Sequence, residues 1–238
     1  MKVVEENRYY KIISSQSFEY IKEELTIYLN TNIEYIMSFF NIKNVNQITI
    51  TLYDKKEEFQ KSTIYPYNIN SLAGTFNYFG VKIYGNLTNI SKEIFFSCIL
   101  HEIIHLLYLR YVQEKGIQNR IAWFDEGLAQ NLSGENIHLL NDDVLKEYLL
   151  KHIYNQNKII PDISFLYKHG NTFGYFVDGA TNKYNGYIWS YLMIRYLLKA
   201  LSPEEFNKIM RSKSEIDVIG KELPSITYNY YKRKLKIK

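Results

Sequence analysis

A single cysteine in 238 residues excludes an intramolecular disulfide framework, so a hydrophobic core has to hold this chain together. Four prolines and eleven glycines are too few for a collagen-like or linker-dominated polymer. The opening MKVVEENRYY has neither the apolar run nor the small-residue cleavage site of a secretory signal, which makes the cytoplasm the expected location. Also missing are a GxGxxG or GxxxxGK loop and the regular strand–helix alternation of a dinucleotide-binding fold. No internal repeat or low-complexity linker interrupts the chain.

What is present is apolar and aromatic. Residues of the hydrophobic class make up 46% of the chain, enough to bury a sizeable core in one domain or in two closely packed lobes. The formal net charge of +4 comes from the end of the chain, where Lys232, Arg233, Lys234, Lys236 and Lys238 leave the remainder at about −1. A nearly neutral body with a basic, solubilising tail does not make a broad phosphate-binding surface. The 23 tyrosines are scattered among abundant Asn, Ile and Lys, as a compositional bias scatters them, so nucleic acid is not the expected partner.

Apolar periodicity at spacings of three and four predicts helix over 17–40, either as one long helix or as two joined near Thr31 and Asn32. QITITLYD, 48–55, alternates as a strand does, and KKEEFQKS reads as a short helix before an irregular stretch through Pro66 and Gly74. FNYFGVKIYG, 76–85, reads as one strand or two, with a bulge at Gly80. Ser91 is placed to cap a helix from Ile94 to about Tyr111 that Gly116 ends, and a second helix spans Trp123–Leu132. Further helices are expected at 142–154, 187–201 and 203–210, with looser chain around Pro161 and over 170–185.

The greasiest window, Ile94–Leu109, contains His101, Glu102 and His105 and is short for a bilayer crossing, so a buried helix is expected and no transmembrane segment. On a helix, His101 and His105 lie about 400° and about 6 Å apart, on one face, where two neutral imidazoles can meet one zinc ion. Glu102 sits about 100° around from His101 and can reach a water in the site as general base. A zinc site needs a further protein ligand and, for chemistry, an open position. AWFDEGLAQNL supplies Glu126, with Asp125 as the local rival better suited to the helix start or to a solvated charge, and Gly127 permits close backbone approach. Cys98 shares the histidine face, but helix direction makes joint ligation by 98, 101 and 105 awkward, so it reads as a small buried core residue. Glu93 and Glu114 read as solvated or capping charges.

HEIIH followed by WFDEGLAQ resembles the gluzincin branch of zinc metallopeptidases, the thermolysin-like superfamily. The resemblance implies a zincin-like α+β fold with a small mixed sheet, an active-site helix and a mostly helical C-terminal half. It implies His101, His105 and Glu126 as ligands of Zn2+, Glu102 as catalytic base, and a peptide or protein substrate. The expected organisation is an N-terminal α/β lobe, 1–115, with the HExxH helix and a helical lobe, 116–238, with the third ligand, closely packed as one catalytic unit. YFGVKIYG would be the edge strand along which an extended peptide binds. Tyr187, with Tyr184 as the nearby alternative, would donate to the developing oxyanion. The chain departs from the family pattern at Gln130, where thermolysin-like enzymes commonly place an acid that orients a ligand histidine. The Gln130 amide oxygen could accept the imidazole N–H instead, or another carboxylate or carbonyl could do so.

The expected reaction is peptide-bond hydrolysis without a covalent acyl-enzyme. Three other readings stay open on the sequence: a noncatalytic zinc-containing module that binds peptide or protein, a specialised toxin or regulatory protease with one intracellular target, and a nucleic-acid-binding domain motivated by the basic tail. Oligomeric state is not encoded in any pattern of the chain.

Overall fold

Five short strands make one mixed sheet in the computed structural model, which describes residues 1–63, 69–154, 159–167, 173–178 and 183–237. The expected irregular stretch at Pro66, the looser chain at 170–172 and 179–182, and the terminal Lys238 lie outside the described residues. The architecture is a zincin-like α+β fold, and chain contacts divide it into two units, 1–112 and 113–238.

In the first unit, β1 (Lys2–Glu6) and β2 (Tyr10–Ser14) form an antiparallel pair, and a 3-10 turn over Gln16–Ile21 leads into α1 (Lys22–Phe39). β3 (Ile48–Tyr53) runs parallel to β2, and α2 (Lys56–Ser62) follows it. β4 (Leu72–Phe76) and β5 (Gly80–Gly85) then form a hairpin, and β5 is parallel to β3. The resulting order, β1-β2-β3-β5-β4, leaves β1 and β4 at the edges. α1 is unbroken at Thr31 and Asn32, whose side chains bond back to the carbonyls of Ile27 and Tyr28 instead of opening a joint. Its apolar stripe, Leu25, Leu29, Ile33, Ile36 and Met37, is buried.

Two expectations fail here for one reason. YFGVKIYG is not the edge strand: β5 is interior, between β3 and β4, and the edge is LAGTF, whose Gly and Ala weaken its strand signal. Gly80 is not a bulge but the first residue of β5, where a Cβ would fall 2.0 Å from the carbonyl oxygen of Thr49 on β3. The glycine marks close approach of an inner strand, which the pattern of one strand alone does not distinguish from a bulge.

α3 (Lys92–Leu107) lies against β4, β5 and α1, and Ser91 caps it by accepting from the Ile94 amide. Phe95, Phe96, Ile99, Leu100, Ile103, Ile104, Leu106 and Leu107 are buried, each worth about 1.5–3 kcal/mol on leaving water, while Ile94 is exposed. Phe18 stacks on Phe95 with centroids 5.4 Å apart, and Tyr28 meets Phe96 at 5.5 Å. Lys92–Val112 is apolar enough by length and composition to cross a bilayer, yet 67% of its most apolar window is buried, as in a core helix. Regular α geometry ends at Leu107, four residues before the expected boundary, because Tyr108–Val112 widens into a π turn. Lys115 and Gly116, both at positive φ, then stop the helix.

The second unit is helical: α4 (Ala122–Leu132), α5 (Asp142–His152), α6 (Phe173–Asp178), α7 (Gly186–Ala200), α8 (Pro203–Arg211), α9 (Lys213–Gly220) and α10 (Leu223–Lys234). α6 lies where looser chain is expected. α4 and α7 form its main pair, with Trp123, Phe124 and Leu128 on one and Trp189, Met193 and Ile194 on the other fully buried. Three of the five basic residues near the end of the chain belong to a helix. Lys232, Arg233 and Lys234 occupy the last turn of α10, where cations suit the helix dipole, while Tyr231, Leu235 and Ile237 are buried.

Candidate metal centre

Packing fixes α3 on its greasy sides, so the positions of its polar residues follow from helix geometry. His101 and His105, one turn apart, bring their Nε2 atoms to 3.0 Å from each other with the rings edge to face. Because both Nε2 atoms converge, each Nδ1 is turned outward. His105 is buried and His101 half-buried, and Phe76 of β4 stacks on the His105 ring at 5.2 Å.

Glu102 meets the same strand two residues earlier. A Cβ built on Gly74 would stand 2.6 Å from Glu102 Oε1 and 2.7 Å from its Cγ, so any larger residue there would push the Glu102 side chain aside. Gly74 and Phe76 share one strand face, as the period of two requires, and they face Glu102 and His105 respectively. The hairpin register adds a consequence. Asn77 donates to the Gly80 carbonyl and Asn86 to that of Ser71, so hydrogen-bonded pairs fall at 71, 73, 75 and 77. The backbone groups of Leu72, Gly74 and Phe76 therefore point away from β5, along the open edge.

Glu126 comes from the first turns of α4 and is 3% exposed. His101, His105 and Glu126 each offer a ligand atom, and these atoms all lie within 4.8 Å of one another. A tetrahedral ion with bonds of about 2.1 Å spaces its ligand atoms about 3.4 Å apart. The histidine pair, at 3.0 Å, stands near that spacing, and a Glu126 carboxylate oxygen lies within 4.8 Å of both. Two imidazole nitrogens and one carboxylate oxygen suit zinc, and among the described residues no fourth His, Cys, Asp or Glu joins this cluster, the half-buried Cys98 included. The triad matches a gluzincin-type zinc-binding site.

Asp125 is not a solvated charge. It is fully buried and accepts from Arg120 Nε at 2.5 Å, while Nη2 of the same guanidinium donates to Glu126 Oε1 at 2.9 Å. Arg120 played no part in the sequence reading, although a buried Asp-Glu pair needs a cation and Arg120 is the basic residue just before it. Gly74 had a signal too, as an isolated glycine in a strand-like run.

Gln130 works differently from the expectation that its oxygen accepts from an imidazole. Its amide nitrogen donates to the carbonyls of Glu126, at 3.3 Å, and of Tyr187, at 3.0 Å, and its oxygen accepts from Asn136. The next residue, Asn131, donates at 2.9 Å to the carbonyl of Tyr191, one turn beyond Tyr187 on α7. Between these clamps, a Cβ on Gly127 would fall 2.4 Å from the carbonyl oxygen of Ser190, so the close backbone approach expected of this glycine is found against α7. Asn185 caps α7 by accepting from the amides of Tyr187 and Ile188. Tyr187 is half-buried with its ring edge-on to Phe176 at 5.2 Å, and Tyr184 is 3% exposed.

No protein-family model matches the chain, and no curated protein matches it in sequence.

Proposed function

We propose that this chain is a zinc metallopeptidase of the gluzincin type that hydrolyses peptide bonds. The observation that carries the reading is the convergence of His101, His105 and Glu126 with a glutamate, Glu102, one residue after the first ligand. A purely structural metal site does not require a carboxylate beside its first ligand, whereas a hydrolytic one does. His101 and His105 would hold the ion through Nε2 and Glu126 through a carboxylate oxygen. When bound, zinc supplies a Lewis acid that polarises a carbonyl and makes water more acidic.

The remaining chemistry belongs to the chain. An extended peptide would pair with the outward backbone groups of Leu72, Gly74 and Phe76, which bind main chain whatever the side chains are. That pairing would bring a scissile carbonyl alongside Glu102, because Gly74 is the strand residue facing it. Glu102 takes a proton from the attacking water as the new C–O bond forms, then delivers it to the departing nitrogen as the C–N bond breaks. Tyr187 is assigned as the donor to the tetrahedral oxyanion, with Tyr184 as the alternative. Support for Tyr187 comes from Gln130, whose one amide group joins the Tyr187 carbonyl to the backbone of Glu126. Tyr184 is more deeply buried.

Proteome-derived peptides incubated with zinc-loaded wild type and Glu102→Gln test the reading. The wild type is expected to cut and the variant to lose about 10²–10⁴-fold in rate while keeping its metal. A wild type that holds one zinc and leaves every peptide and a folded cell lysate intact would favour a noncatalytic zinc-containing module instead.

A further inference from the structure

Buried carboxylates on successive residues are an expensive arrangement, and α4 carries such a pair in Asp125 and Glu126. Their side chains are 0% and 4% exposed, and Arg120, 23% exposed, meets both with one edge of its guanidinium, Nε on Asp125 and Nη2 on Glu126. Successive residues on a helix point about 100° apart, so a single cation can serve both only if its donors are spread in a plane. Arginine has that fork and lysine, a point donor on a flexible stem, does not.

We infer that Arg120 is a positioning residue for the metal centre: anchored on Asp125, it holds Glu126 by Oε1 and so sets the direction from which that carboxylate meets the ion. This rests on the metallopeptidase reading only through its metal site. The glutamate side chain has three rotatable bonds and would otherwise have to be ordered at the moment of binding. A hydrogen bond from Arg120 on Oε1 would favour binding of the ion through a single carboxylate oxygen, which would keep the coordination number low and a position open. Asp125 sets the guanidinium rather than touching the ion, so the two acids of WFDEG divide the work.

The sign of the effect separates this role from simple electrostatics. Removing a positive charge beside a cation site should by itself tighten metal binding, whereas removing the device that orients a ligand should weaken it, by about 10–100-fold for an outer partner of a ligand. Full-length wild type, Arg120→Gln, Arg120→Lys and Asp125→Asn would be titrated with Co2+ against a chelator, with visible absorption reporting coordination number and thermal melts reporting the metal-free fold. Both Arg120 variants are expected to bind Co2+ about 10–100-fold more weakly, with absorption weakened as Glu126 becomes a two-oxygen ligand. Asp125→Asn, which keeps the Glu126 contact, should fall between them and the wild type. Should the Arg120 variants fail to fold, Asp125→Asn decides alone, and wild-type affinity there overturns the inference. Binding that is unchanged or tighter in the Arg120 variants, or restored in Arg120→Lys, overturns it as well, the last because charge alone would then suffice. A wild type that binds no Co2+ removes the metal centre itself, a distinct failure.

Discussion

α3 and α4 both deliver ligands to one cluster, yet they orient them by different forces. On α3 the imidazoles and Glu102 are set by shape: apolar packing fixes the helix, Phe76 stacks on His105, and Gly74 admits the strand against Glu102. On α4 the ligand is set by charge and amide bonds: Arg120 spans Asp125 and Glu126, and Gln130 and Asn131 tie the helix to α7. The lesson is that neutral imidazoles need only to be aimed, whereas a buried carboxylate must also be compensated before any ion arrives.

The comparison breaks most sharply at Arg120. Its loss takes a cation away from two buried carboxylates, so Arg120→Gln should cost the metal-free protein about 3–5 kcal/mol, read as a lower denaturant midpoint. Gly74→Ala is the counterpart on α3. Its Cβ must displace the Glu102 carboxylate, and a shift of about 1 Å should slow hydrolysis about 10²-fold while zinc content stays at the wild-type level. A fall in zinc content would mean that β4 moves the histidines too. Gly127→Ala, which thrusts a methyl at Ser190, should destabilise by about 1–3 kcal/mol, and calorimetry with and without zinc would place the damage in the α4–α7 contact.

The smallest effect lies outside both helices. In the capping box of α8, hydrogen bonds from the Ser202 backbone and side chain hold the Glu205 carboxyl below its ordinary value of 4.5. A depressed folded value means that this contribution is complete above pH 4.5 and fades as pH falls through the lower folded value. An acid titration of Glu205→Gln should therefore converge with wild type at low pH and differ slightly at neutral pH, with metal affinity unchanged.

Much of the site was legible because helix geometry turns a spacing of four into one face and because a glutamate within a greasy helix demands a use. For Asp125 the two readings, helix start or solvated charge, part: it does stand in the first turn of α4, but its burial beside Arg120 removes the solvated one. Strands told less. β1 and β2 lie in a stretch where no element is expected, since strands of five residues give too few alternations, and LAGTF has a weaker strand signal than the more β-branched β5. α9 and α10 were missed at the polar C-terminal end, where charge drew attention from the buried Ile216, Tyr231 and Leu235.

Anomalous scattering at the zinc edge from crystals of the full chain grown with zinc tests the central claim most directly. One peak is expected, about 2.0–2.2 Å from Nε2 of His101, Nε2 of His105 and a single oxygen of Glu126, with no protein atom in the fourth position. A Glu126 carboxylate turned away from the peak, or a fourth protein ligand such as Cys98 Sγ closing it, would contradict the account.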